Sequence, residues 1–147
     1  MFSFRDHLVQ VTPDAGPFAG QPFRLLSGND IEVDPGPKAK AVPGFSELPF
    51  AIVRQSAEPK IKLSGMDAVE VDAVRTQVGG IGGFAYTISV VASRPGVKPF
   101  RIKCGGCSWS GGGGWKADDN GSMSEVESLM LELKYNGVDV FAVRHPR

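Results

Sequence analysis

The C-terminal third of the chain alternates apolar and polar residues with a period of two. In ESLMLELKYNGVDVFAVR, Leu129, Leu131, Leu133 and Tyr135 fall on one face, with Met130, Glu132 and Lys134 on the other. That is the pattern of a half-buried strand. Asn136-Gly137 follows, and both residues tolerate the positive φ that a type I′ turn demands. A two-residue loop sets the register, pairing Tyr135 with Val138, Leu133 with Val140 and Leu131 with Ala142. The same register puts Lys134 opposite Asp139, so apolar meets apolar and opposite charges meet.

Upstream, FAYTISVV alternates Phe84, Tyr86, Ile88 and Val90 against Ala85, Thr87, Ser89 and Val91. SRPG reads as a turn, and KPFRIKC alternates Phe100, Ile102 and Cys104 against Arg101 and Lys103, giving a second antiparallel pair. Between Ser64 and Gly80 the period changes. Ala68, Val71, Val74 and Val78 fall near helical spacing, acids (Asp67, Glu70, Asp72) load the N-terminal half, and Gly79-Gly80 offers a stop; the spacing predicts a helix over 66–78. Shorter strands are predicted at 7–11, 22–26, 30–33, 48–53 and 60–64. The reading is a single domain over 1–147, mainly β, with about seven to nine strands and one short α-helix. An extended proline-rich loop is expected at 34–47 and a glycine-rich loop at 105–124.

Composition supports turns and short strands over helices: the chain has 19 glycines and 11 prolines in 147 residues. Sixteen basic side chains balance sixteen acidic ones, so overall charge offers no argument for nucleic-acid binding. No segment reaches the ~18 consecutive apolar residues of a membrane helix. The start, MFSFRDHLVQV, lacks a cleavable-signal pattern. The protein is therefore expected in the cytosol, where Cys104 and Cys107 remain thiols.

CGGCSWSGGGGW, residues 104–115, is the stretch that most resembles a chemical site. Structural zinc needs four ligands, and only His7 and His145, near opposite ends of the chain, could complete a set with Cys104 and Cys107. A thioredoxin-like pair needs its first cysteine at a helix N-terminus, whereas Cys104 ends a strand. The glycine run lacks the Gly-Lys-Ser/Thr of a phosphate loop and the helix of a dinucleotide fold. Asp118-Asp119-Asn120-Gly121 lacks the spacing and distal glutamate of a calcium loop. No Ser/His/Asp set is indicated. No catalytic residue, cofactor or metal is expected, and the protein is read as not an enzyme.

The order of elements is informative: a strand, a helix ending in glycines, two long strands, a polar loop and a hairpin closed by Asn-Gly. With GMDAVEVD at 65–72, LPFAIVRQSAEPKIKLSG at 48–65 and GWKADDNGSMSEVESLMLELKYNGVDVF at 114–141, it resembles the bacteriophage tail tube proteins of contractile tails and R-type pyocins. The likeness covers about Leu48 to Val143; residues 1–47 match weakly, and those tubes lack the CGGC and its glycine run. The resemblance implies an antiparallel β-sandwich or barrel whose inner strands join a hexameric β-barrel, in rings stacked around a channel for genome delivery.

It also implies Thr87, Ser89, Glu132 and Lys134 as lumen-facing side chains. Trp109, Trp115, Lys38 and Lys40 would make inter-subunit loop contacts, the glycine-rich loop ordering as rings stack. Partners would be further copies of the chain and other tail proteins such as sheath, tape measure or baseplate, with transient passage of DNA and no membrane insertion. The place would be a virion tail assembled in the host cytoplasm. Two other readings stay open. One is a small cytosolic metal- or redox-binding module using Cys104 and Cys107. The other is a different phage structural protein: tube initiator or terminator, baseplate or capsid decoration.

Overall fold

The computed structural model describes residues 4, 7–36, 38–43, 49–55, 59–80, 83–94, 96–112, 114–118 and 121–140. In chain order the elements are β1 (Leu8–Pro13), β2 (Phe23–Leu25), β3 (Asp30–Asp34), β4 (Lys38–Pro43), β5 (Pro49–Gln55), β6 (Lys60–Asp67) and α1 (Ala68–Val78). They continue with β7 (Tyr86–Arg94), β8 (Val97–Gly112), β9 (Lys116–Asp118), β10 (Gly121–Leu129), β11 (Glu132–Tyr135) and β12 (Val138–Asp139). The main sheet is antiparallel and runs β2-β1-β7-β8-β10-β6-β3, with β11 beside β8, β12 beside β11 and β9 beside β10. The path is open, with β2 and β3 at its two ends. β4 and β5 pair with each other in a sheet of their own.

β8 belongs to both halves of the main sheet. Its first part pairs with β7 and β11, its last part with β10. The transition lies at Gly105-Gly106, where the register with β7 jumps from Ile88↔Cys104 to Tyr86↔Cys107. Gly106 has φ 60°, the left-handed conformation glycine adopts at no steric cost, so one extra residue enters β8 as a bulge. The bulge shifts the alternation by one, and Cys104, Cys107 and Trp109 all turn inward.

The inner faces of the two half-sheets close on one core. Val9, Val11, Leu25, Ile88 and Leu133 come from one half, Ile61, Leu63, Met66 and Val126 from the other, and Val71, Val74 and Val78 from α1. Tyr86 and Ser128, each fully buried, join the halves through a hydrogen bond between their hydroxyls.

α1 begins after Asp67, whose carboxylate accepts from the Val69 N–H at 2.9 Å. It ends at Gly79, whose N–H donates to the Arg75 carbonyl. The helix also holds the loop after β2. Glu70 Oε1 accepts from the Leu26 N–H at 3.0 Å, the Ser27 N–H at 3.1 Å and the Ser27 hydroxyl at 2.9 Å. That loop in turn receives the Phe4 N–H on the Gly28 carbonyl, and the Phe4 ring is buried.

Several expectations change. The helix starts at 68 rather than 66, because 66–67 finish β6. The proline-rich stretch expected as a loop at 34–47 contains β4, paired with β5 from Lys38↔Gln55 to Pro43↔Pro49; residues 44–47 lie outside the described ones. The glycine-rich loop expected at 105–124 is mostly strand: the rest of β8, then β9 and the start of β10. The alternation read as continuous to Tyr135 breaks after β10, where the Met130 N–H donates to the Pro59 carbonyl and the Leu131 N–H to the Gly105 carbonyl. Met130 is therefore buried, and Leu131, expected inward beside Leu133, is 84% exposed. Its expected partner Ala142 lies outside the described residues. Phe84 also precedes β7 instead of extending its apolar face, and its ring lies on Gly16.

Replacing Tyr86 by Phe strands the Ser128 hydroxyl in the core and is expected to cost about 1–3 kcal/mol. The Y86F/S128A double variant, with neither hydroxyl left unpaired, should recover part of that loss in a urea titration.

Candidate functional site

The outer face of the first half-sheet is polar from edge to edge. The pairings Gln10↔Arg24, Gln10↔Ser89, Ser89↔Lys103, Lys103↔Lys134 and Lys134↔Asp139 place one polar residue from each of six strands in a single row. Directly opposed residues in an antiparallel sheet share a face. The neighbouring Val9↔Leu25 and Val9↔Val90 pairs point into the core. Beside this row, the Thr87 hydroxyl donates to Asp14 Oδ1 at 3.1 Å, and Arg101 is exposed opposite Val91. Lys134 Nζ turns to Glu132 Oε1 at 3.4 Å.

The structure therefore brings Thr87, Ser89, Glu132 and Lys134 to one sheet face. Asn136 (φ 53°) and Gly137 (φ 84°) close the β11–β12 turn at the edge of that face. The Asn136 side-chain oxygen also accepts from the Arg101 N–H at 2.9 Å, tying the turn to β8.

The outer face of the second half-sheet carries a different charge. Rows Glu32↔Lys62↔Glu127 and Asp34↔Lys60 alternate in sign, and Lys62 Nζ meets Glu125 Oε2 at 3.2 Å. The Glu125 carboxylate raises the Lys62 pKa above its ordinary value. With Asp30 on the same face, acids outnumber bases there.

The residues expected to contact neighbouring subunits separate. Trp115 is 69% exposed, just before β9. Trp109, expected to project from a loop, is 5% exposed in the core, because β8 continues through it and the bulge turns it inward. Lys38 and Lys40 lie on β4, opposite Gln55 and Val53, rather than on a loop.

Cys104 and Cys107 are buried thiols. Burial pushes the Cys104 thiol from its ordinary 9.0 up to about 12. The Cys107 thiol is raised too, by burial and then by neighbouring Cys104, and its sulfur donates to the Cys104 carbonyl at 3.2 Å. A reactive or metal-binding cysteine needs an accessible thiolate, and here the environment disfavours both access and ionisation. Among the described residues, no three His, Cys, Asp or Glu side chains gather to hold a metal ion, and no helix is long and apolar enough to cross a membrane.

Sequence reasoning passed over Gln10, Arg24 and Lys103 as parts of the polar row. Their polar positions in alternating segments were visible, but which strand lies beside which was not.

No family model matches the sequence, and no curated protein matches it. Solved structures do share the fold. A chain of the anti-feeding prophage (AFP) baseplate, determined by cryo-EM and six-fold symmetrised, matches with a TM-score of 0.51 at 9% identity, covering 91% of this chain and 94% of that one. Hcp1 from Flavobacterium johnsoniae matches with a TM-score of 0.51 at 14% identity, covering 90% of this chain and 97% of that one. The fold shared with these two chains is mostly antiparallel β with one short helix.

The thiols carry a pH prediction. A group whose folded pKa is raised favours the folded state while protonated, so its contribution is complete below the unfolded thiol pKa. It is lost as pH rises from about 9 towards 12, at up to about 1.4 kcal/mol per pH unit for each thiol. Denaturant midpoints should fall over that window more steeply than in the C104A/C107A protein. Iodoacetamide at pH 8 should label the thiols only after unfolding.

Proposed function

We propose that the chain is a structural subunit of a tail-tube-like assembly, with six copies in a ring and rings stacked around a channel. The observation that carries this reading is the fold match over nearly the full length of both partners, one of them a component of a six-fold symmetrised baseplate. The shape of the sheet supports it. The path ends on two strands, β2 and β3, that each pair on one side only among the described residues. Unpaired edges invite partners, and closure into a ring satisfies them. The polar outer face of β1, β7, β8 and β11 is suited to line a wet channel, because the opposite face of the same strands already fills the core.

In this reading the role is structural rather than catalytic. The assembly is a virion tail or a related injection apparatus, its other partners are tail or baseplate proteins, and DNA is the cargo that passes. Electron microscopy of the concentrated full chain tests it. Rings with six-fold symmetry, alone or stacked into tubes, are the expected outcome; monomers alone at every concentration, confirmed by light scattering, would overturn it.

A further inference from the structure

We infer that the row Arg24, Gln10, Ser89, Lys103, Lys134 on the outer face of the first half-sheet is a binding track for the phosphate backbone of a nucleic acid. Five neighbouring strands each contribute one side chain that donates hydrogen bonds to oxyanions. At about 4.8 Å between strands the row spans roughly 19 Å.

Lys103 stands directly opposite Lys134, an arrangement of like charges that weakens a sheet unless an anion lies between them. Lys134 is drawn aside to Glu132, while Lys103 and Arg24 form no ion pair among the described residues. Arg101 adds positive charge in the adjoining row, so four basic side chains on this face meet three acidic ones, Glu132, Asp139 and Asp14. The acidic outer face of the other half-sheet repels a polyanion and leaves this side as the one it can approach. A net charge of zero for the whole chain conceals this division.

Arg, Lys, Ser and Gln are side chains that contact phosphate and sugar oxygens, and no aromatic side chain interrupts the row. The track therefore holds a phosphodiester chain through its charge, without reading sequence. It rests on the ring reading only for the joining of several rows around one channel; the row itself exists in a single copy of the chain.

The test uses the full chain and a fluorescein-labelled oligothymidylate of about 12 nucleotides, a length within the range that single-strand sites occupy. Anisotropy is followed between roughly 50 and 200 mM salt, with the assembly state measured in the same solutions. Wild type should bind at low salt and weaken as salt rises. K103S/K134S should bind at least about tenfold more weakly, with a log–log salt slope shallower by about 1.4. K60S, which removes a positive charge from the other face, should bind about as well as wild type. If the double variant does not melt cooperatively, K103Q replaces it, with a weaker loss expected.

Absent wild-type binding, or binding unchanged in the Lys103 variants, overturns the assignment. Polyglutamate competing as well as the oligonucleotide at equal charge overturns its nucleic-acid specificity. Oligonucleotide binding by a protein that forms no rings removes the tube reading and leaves the track standing. Rings that bind no oligonucleotide do the reverse.

Discussion

The fold depends on the passage of β8 from one half of the sheet to the other. A regular strand of 16 residues would keep both halves in one gently twisted surface, with no enclosed core. The extra residue at Gly105-Gly106 bends the strand and adds twist, so that β10, β6 and β3 can face β1 and β7. Glycine suits position 106 best. The backbone there is left-handed, which strains any residue with a Cβ, and that Cβ would lie 3.0 Å from the Leu131 Cβ, forcing Leu131 to give way. Gly112 is held as tightly at the other end, where a Cβ would come within 2.7 Å of the Glu125 carbonyl oxygen. Once the bend exists, the Tyr86–Ser128 hydroxyl pair can form across the core, and Trp109 can fill the space beside it.

Charge segregation follows from the same geometry. Burying Val9, Val11, Ile88, Cys104 and Leu133 commits Gln10, Ser89, Lys103 and Lys134 to the outside. Burying Ile61, Leu63 and Val126 commits Lys62 and Glu127 in the same way. Register thus turns scattered charges into two faces of different character. Surface ion pairs such as Lys62–Glu125 add little stability; their importance is to the field each face presents. α1 leaves both faces free, since it packs on the core and spends Glu70 on the loop after β2.

Much of this was legible wherever burial follows a regular period. The β11–β12 register, the faces of β7 and the start of β8, and the buried stripe of α1 all follow from alternation or helical spacing. What escaped was the second part of β8. Glycine has low strand propensity because it offers no side chain to pack, so Gly105, Gly106, Gly111 and Gly112 read locally as a loop. Their presence answers a tertiary demand, the close passage of β10 and the segment leading into β11, which no local pattern reports. Leu131 escaped for a related reason: the period of two holds on each side of Met130-Leu131 but not across it. The polar row was legible as polar positions and illegible as a row, because adjacency between β1, β7 and β8 is not encoded in any one segment.

The cysteine pair shows how a motif can arise from packing alone. On a regular strand, residues three apart point to opposite faces, so Cys104 and Cys107 should not share an environment. They do, because the bulge lies between them. Cys104 fits between Ile88 and Leu133, and Cys107 sits opposite Tyr86. Both sites are interior positions next to large side chains, and cysteine acts there as a small, buried hydrophobe. The two intervening glycines make the bulge, and the bulge makes the pair. A Cys-x-x-Cys spacing that in other contexts signals thiolate chemistry is here the trace of a strand changing sheets, which is why its thiols are driven away from ionisation rather than towards it.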